Sequence, residues 1–203
     1  TDVAAHILKI NPFDQPDVES TKKKTREILA GAGRAGEAVP AGQADVAEGL
    51  RISGRGLSKD AGATLSRFLG GSREGDYIAV LAYLPPREGV ETLLAVLVNV
   101  LRRKRRLPVT LGFGPRYLHS TGQVHKGDGN KGLFLFLTEA DMLDVPIPAV
   151  PGVERPAASF ADLFSAQGRG DEMALTEKGR RVLRIEIEDP IEAGIKTLTA
   201  LLG

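Results

Sequence analysis

The pattern of apolar and polar positions along the chain predicts strands that alternate with helices. Four runs have the apolar content of buried or half-buried strands: 77–84, 108–112, 132–138 and 181–188. Helical periodicity marks five stretches before, between and after them: 60–69, 91–103, 159–166, 172–178 and a last helix that starts at Asp189-Pro190, with the aspartate as its cap. Strands that alternate with helices predict a layered α/β/α fold with a partly parallel sheet of about four strands.

The first third of the chain has a different pattern. Residues 4–10 predict a short strand, and a loop leads from there to Pro16, where acidic side chains in the first turn predict a helix to about Leu29. The stretch 31–56 is rich in glycine and alanine and has no sustained period, so it predicts a loosely held linker. We therefore divide the chain into a strand–helix arm, a linker with one helix, and an α/β domain: 1–34, 35–70 and 71–203.

Composition excludes several classes of protein. The 203 residues carry 27 Lys+Arg and 26 Asp+Glu, so a formal net charge of +1 gives no reason to expect nucleic acid as a partner. Cysteine is absent, which excludes disulfides, thiolate catalysis and metal sites built on cysteine. No apolar run approaches the ~18 residues of a membrane-spanning helix, and we expect a cytoplasmic protein with no membrane partner. The chain begins at Thr1 with an apparent strand close behind, so we expect it to be the C-terminal part of a longer protein.

Two loops carry the polar groups from which a site could be built. The loop 112–127 follows a predicted strand and combines glycines, hydroxyls, an arginine and two histidines, which suits a phosphorylated polyol. The alternative is a structural glycine-rich turn with surface histidines. The loop 11–22 brings amides, carboxylates and a lysine, and its alternative is a turn, a helix cap and a solvated face.

The remaining charged motifs predict no further chemistry. His6 lies in the predicted first strand and is expected in the core or at a sheet edge. His119 and His125 are six residues apart, and no metal-ligand spacing is present, so we expect neither a metal nor another cofactor. The basic run 102–106 is expected at the C-terminal end of a helix.

Both loops are similar to a known enzyme family. Residues 10–22 resemble the C-terminal signature of phosphoglucose isomerases, in which an Asn-x-Phe-Asp-Gln stretch leads into a helix with the active-site lysine. Residues 114–127 resemble the C-terminal extension of the bifunctional transaldolase/phosphoglucose isomerases, and so do 132–138, 144–148 and 179–184. Asp17 and Thr21 stand where that family usually has glycine.

The resemblance implies an aldose–ketose isomerase that interconverts glucose 6-phosphate and fructose 6-phosphate through a cis-enediol. It places the active-site lysine at Lys22, although Lys23 and Lys24 leave the register open by a residue, and it makes Gln15 a group that positions substrate. His119 is a candidate ring-opening acid or base, and the candidate substrate ligands of the second loop are Arg116, Ser120, Thr121 and Gln123. The proton-shuttling glutamate, the main phosphate loop and a transaldolase domain would lie before Thr1, so we expect this chain alone to show no isomerase turnover. The alternatives are a non-catalytic phosphosugar-binding or regulatory lobe and a purely structural domain.

Overall fold

The computed structural model describes residues 2–14, 16–31, 45–47, 49–58, 60–140, 142–148 and 159–203. Within those residues the chain forms seven α-helices, six β-strands and one 3-10 turn, Arg116–His119. In chain order the elements are α1 (Asp2–Leu8), α2 (Pro16–Leu29), β1 (Asp45–Ala47), β2 (Leu50–Gly54), α3 (Ala61–Gly70), β3 (Tyr77–Tyr83), α4 (Glu88–Arg105), β4 (Val109–Phe113), α5 (Gly122–Gly127), β5 (Gly132–Glu139), α6 (Phe160–Glu177), β6 (Arg181–Ile187) and α7 (Ile191–Leu202).

The strands form one mixed sheet in the order β1-β2-β6-β5-β3-β4. Strands β4, β3, β5 and β6 are parallel, whereas β2 pairs antiparallel with β6 and β1 antiparallel with β2. The predicted layered α/β/α fold is confirmed, and its four predicted strands are the parallel ones. The described sheet has two further strands, β1 and β2. They were not predicted, because they come from the segment that has no clear period.

The two faces of the sheet bury different side chains. One face carries an aliphatic core beneath α3, α4 and α7, in which Leu65, Leu94 and Leu198 are fully buried. The other carries an aromatic cluster beneath α6 and the 3-10 turn, formed by Tyr83, Tyr117, Phe134 and Phe136. Phe134 and Phe136 alternate with the aliphatic residues of β5, so the central strand supplies both cores.

Helix α2 packs against α6 on the side away from the sheet. Val18, Thr21 and Thr25 are buried positions of α2 at helical spacing, and Asp17 in its first turn is buried too. Close approach is possible because Gly170 of α6 has no side chain: a Cβ there would lie 2.8 Å from Thr25 Oγ1 and 3.3 Å from the backbone oxygen of Thr21.

Two predictions about the first third of the chain are wrong. Residues 4–10 do not form a strand: α1 spans Asp2–Leu8, and His6 is exposed on it, neither in a core nor at a sheet edge. Val3 and Ile7 are four residues apart, a spacing that suits a helix, and consecutive alanines favour one. The linker prediction for 31–56 is wrong at β2, where Leu50 and Ile52 are fully buried; residues 32–44 lie outside the described part. The sheet therefore runs across the predicted boundary between residues 70 and 71.

Other boundaries shifted for identifiable reasons. The two helices predicted at 159–166 and 172–178 are one helix, α6, because Gly168 and Gly170 face close neighbours, Tyr83 and Thr25, and do not break it. Asp189 does not cap the last helix, which begins at Ile191 after Pro190 and has no side-chain cap. The basic run does end α4, where Arg106 adopts a left-handed conformation with a φ of 54°. None of the described helices has the length and apolar content needed to cross a bilayer.

Candidate functional site

The parallel strands end at one edge of the sheet, and their order determines where a crevice opens there. The chain leaves β3 through α4 towards β4, and it leaves β5 through α6 towards β6, so the connections from these two neighbouring strands diverge. In open α/β sheets such a switch point is where ligands usually bind. The residues that follow β3 and β5 are therefore the first place to look for a site.

A cavity of about 390 Å³ lies at this switch point. Pro85 and Arg87 line it after β3, Met142 lines it after β5, and Phe160 and Phe164 line it from the first half of α6. Its walls are mainly apolar, and the exposed Arg87, which precedes α4, supplies a cation at its rim. Because the Glu139 carboxylate lines it as well, this arrangement suits a mainly apolar organic molecule with polar groups at one end.

The sequence pattern did not predict this cavity. It favoured the loop after β4, but β4 is an edge strand of the sheet. The available signal was the Pro85-Pro86 pair directly after the buried run 77–84, and only the strand order gives that signal a meaning.

Four of the predicted substrate and acid–base residues lie on the surface of the second motif. Arg116, His119, Ser120 and Thr121 are all exposed, in and just after the 3-10 turn. The Arg116 guanidinium stacks over the Phe113 ring at 5.8 Å from its centroid. Ser120 Oγ donates to the backbone oxygen of Tyr117 at 3.2 Å. These groups are accessible to a ligand from solvent or from another surface.

The first motif places its lysines differently along α2. The Lys22 side chain is half exposed, and its Nζ lies 2.8 Å from Oε1 of Glu19 one turn earlier. The hydrogen bond and the charge of Lys22 lower the pKa of Glu19. Lys23 points to solvent, whereas Lys24 is largely covered and is paired with Glu177 of α6. Gln15 lies outside the described residues.

The structure brings the two motifs together through one buried carboxylate. Asp17 of α2 is nearly inaccessible to solvent, and its Oδ2 accepts a hydrogen bond of 2.8 Å from Nε2 of Gln123 in α5. Its other oxygen forms an ion pair with Lys178. Gln123 is therefore a link between the motifs in this structure. No hydrogen bond or ion pair joins Lys22 to His119 within the described residues.

A buried polar network that the sequence did not reveal lies beneath the second motif. Lys126 and Asp171 form an ion pair with side chains 2% and 0% exposed, and the Tyr117 hydroxyl donates to Asp171. The hydroxyl of Tyr83 is buried beside them without a well-aligned partner. Burial, and then the charge of Asp171, raise the pKa of both tyrosines. A buried charge pair of this kind holds α5 and α6 in register, because removing either partner would leave an uncompensated charge.

A second network surrounds His125. Its Nδ1 lies 3.1 Å from the Tyr77 hydroxyl, which in turn donates to Oδ2 of Asp128 at 2.8 Å. Because an ionised carboxylate has no proton to donate, the Tyr77 oxygen accepts from the Nδ1–H of a neutral imidazole. Burial, and then the neighbouring charge of Lys126, lower the pKa of His125 to about 4. His125 is thus a neutral packing residue of the second motif.

Metal ligation and similarity to known proteins complete the description of the site. In the described part of the chain, no three His, Asp or Glu side chains are grouped so that they could hold a metal ion. No protein-family profile matches the sequence, and no curated protein matches it. The crystal structure of hypothetical protein TT0462 from Thermus thermophilus is similar in fold, with a TM-score of 0.60 and 16% sequence identity over 93% of this chain. The chain spans 43% of the length of that protein, and at this identity the similarity concerns the fold alone.

Proposed function

We propose that this chain is the C-terminal portion of an aldose–ketose isomerase that interconverts glucose 6-phosphate and fructose 6-phosphate, fused in its parent protein to a transaldolase. The contact between Asp17 and Gln123 is the observation that carries the proposal. It joins the two loops that resemble the isomerase family and docks the helix with the candidate lysine onto the second motif. The proposal includes a cytoplasmic location and the upstream domains of the parent chain as partners.

Lys22 has the surroundings that the proposed role needs. Isomerisation builds negative charge on an oxygen of the enediolate, and an ammonium group held beside that oxygen stabilises the transition state. The Lys22 ammonium is accessible, and Glu19, its ion-pair partner, lies on its own helix. It can therefore exchange Glu19 for a substrate oxygen without disturbing the packing of α2 on α6. The proton-shuttling carboxylate would come from the upstream domain.

The exposed groups of the second motif have a supporting role in this proposal. Arg116, Ser120 and Thr121 offer a guanidinium and two hydroxyls. Together they can bind the phosphate group of a sugar that is held by the upstream domain of the parent protein. His119 is accessible beside them and is the proposed acid or base for ring opening. Gln15, which precedes α2, is proposed to position the sugar.

The proposal is tested in the full-length parent enzyme with single lysine variants. Lys22→Ala should lower the isomerase kcat about 10²–10³-fold, because one charge-assisted bond to a developing oxyanion is worth ~3–4 kcal/mol. Transaldolase activity should stay nearly unchanged, since its lysine lies upstream. Lys23→Ala is the matched control: its side chain is 78% exposed, and isomerase kcat should stay within about twofold.

The outcomes of that experiment separate the proposal from its alternatives. A silent Lys22→Ala with a damaging Lys23→Ala would show that the register is shifted. Three silent variants, with Lys24→Ala as the third, would contradict the catalytic role of the helix. They would favour the second candidate function, a non-catalytic phosphosugar-binding lobe. That candidate rests on the cavity at the switch point, which offers a cation and apolar walls independently of α2.

A further inference from the structure

A second cavity, of about 350 Å³, opens at the opposite end of the sheet, where β6 begins and β2 ends. Three arginines line it: Arg55 after β2, and the consecutive Arg180 and Arg181 at the start of β6. The hydroxyl residues Ser53 and Thr176 also line it. Its size is within the range of pockets for small organic ligands. Nothing in the proposed isomerase chemistry uses this end of the sheet.

Two of these arginines are held in place by other parts of the protein. Arg181 binds Asp76 Oδ2 and the backbone oxygen of Asn130 through its terminal nitrogens, both at 2.8 Å. Arg180 forms an ion pair of 3.2 Å with Asp128 and also donates to the backbone oxygen of Lys126. The side chains therefore lose little conformational entropy when a ligand arrives.

The same two arginines have donors left over. The Nε atoms of Arg180 and Arg181 are both buried, and neither has a hydrogen-bond partner. Because these Nε atoms are fully covered, a ligand in the cavity would meet the positive charge of the two guanidinium groups and not these donors.

The charge of the cavity favours an anionic ligand. Arg55 is exposed and forms no ion pair within the described residues. Glu172 is the acidic residue of the lining, and its carboxylate is bound by Arg184 at 3.0 Å. Burial raises the pKa of Glu172. Phe68 and Val182 add an apolar wall on which a ring can lie.

We propose that this cavity, lined by Arg55, Arg180 and Arg181, binds a small organic phosphate with an aromatic or ring-shaped body. The phosphate oxygens would accept from the Arg55 guanidinium and from the hydroxyls of Ser53 and Thr176. The body of the ligand would pack against Phe68. This site is independent of the proposed isomerase function. It lies at the end of the sheet where the parallel strands begin, opposite the switch-point cavity.

Isothermal titration calorimetry of the 203-residue chain tests the proposal with two probes, AMP and inorganic phosphate. AMP should bind in the micromolar to millimolar range and more tightly than phosphate, because only AMP can use the apolar wall. Arg55→Gln should weaken AMP binding about tenfold, since it removes a charge-assisted hydrogen bond. Ser53→Asp should abolish binding, because it places a second negative charge in the cavity.

The matched control is Arg51→Gln. Arg51 lies on the same strand as Ser53 but pairs with Glu186 and Glu188, outside the cavity. Its removal should leave AMP affinity within about twofold, and thermal unfolding of all variants should confirm that they are folded. Equal weakening by Arg51→Gln and Arg55→Gln would reveal only general electrostatic attraction and would overturn the site. AMP that binds no more tightly than phosphate, or not at all, would overturn the organic phosphate.

Discussion

At the scale of single residues, His125 shows how burial converts a titratable side chain into a packing group. The ring is 4% exposed and stacks against Tyr77, with the edges of Tyr117 and Phe134 around it. A charged imidazolium there would lose its hydration and face the Lys126 ammonium, which explains the lowered pKa of His125. The folded state therefore disfavours protonation of a group that the unfolded chain protonates below about pH 6.5.

This difference predicts an acid-dependent loss of stability. Because the pKa of His125 is lower in the folded state, about 4, than in the unfolded chain, its contribution is fully present above about pH 6.5 and is lost as the pH falls towards 4. Between pH 7 and pH 5 the loss should be about 2 kcal/mol in the free energy of unfolding. Urea denaturation at the two pH values measures it in the wild-type chain and in His125→Gln.

The variant should be less stable at pH 7 but should lose about 2 kcal/mol less between pH 7 and pH 5 than the wild type. His119→Gln is the matched control, because the side chain is exposed, and it should keep the wild-type pH dependence. An unchanged pH dependence in His125→Gln would show that the ring is accessible to protons in the folded protein.

At the scale of elements, the docking of α2 on α6 determines whether the two family-like motifs stay together. Asp17, at the start of α2, contacts Gln123 of α5 and Lys178 just after α6, while the buried threonines of α2 pack against Gly170. Thr25 Oγ1 donates to the Thr21 backbone oxygen at 3.0 Å, so this side chain cannot easily turn away. The interface therefore has little freedom to accommodate added volume.

Gly170→Ala should consequently destabilise the chain, although alanine is the better helix former. Its Cβ would lie 3.2 Å from the Thr25 backbone nitrogen and still closer to its hydroxyl oxygen. Overpacking of this kind costs about 1–3 kcal/mol, which exceeds the roughly 1 kcal/mol gained in helix propensity. We expect a net loss of up to about 2 kcal/mol in the free energy of unfolding, measured by urea denaturation.

Gly70→Ala provides the comparison, because Gly70 ends α3 with no heavy atom within 4 Å of its added Cβ. It should be neutral or stabilising by up to about 1 kcal/mol. If both alanine variants are equally stable relative to wild type, the contact between α2 and α6 is looser than the structure shows.

At the scale of the whole molecule, the sheet unites segments that are far apart in sequence. Strand β2 pairs along β6 from Leu50↔Ile187 to Gly54↔Leu183, and α3 packs against α7. Leu65 and Leu69 of α3 belong to the same aliphatic core as the leucines of α4 and α7. The segment before residue 71 thus completes the core of the segment after it.

A shortened chain of residues 71–203 should therefore fail to fold cooperatively. It would lack β2, which covers the edge of β6, and the buried leucines of α3, so unpaired backbone and apolar core would meet water. Circular dichroism with thermal scans should show no cooperative transition, or aggregation. Removal of residues 1–14 should change the Tm by only a few degrees, since α1 and the loop behind it are mostly exposed. A cooperative transition in 71–203 close to that of the full chain would support the boundary predicted at residue 70.

Local pattern was sufficient to predict much of the fold. The continuous apolar run of β3 and the leucine spacing of α4 depend on neighbours within a few residues, and the predicted strand and helix both formed there. The five-residue strand β2 was missed because its alternation is too short to stand out from a glycine-rich segment. The helix α1 was misread because seven residues fit either period.

The candidate sites depended far more on tertiary structure. The roles of Lys22 and of the exposed groups of the second motif rest on resemblance and stay predictions. The buried pair Lys126–Asp171 joins two distant positions in the chain, the switch-point cavity follows from β3 lying between β4 and β5, and the arginine-lined cavity needs β2 beside β6. Periodicity indicates which face of an element is apolar. The order of the strands and the pairing of distant charges depend on how all the apolar faces pack together in the folded chain. That is why the elements could be predicted from the chain, and the cavities only from the fold.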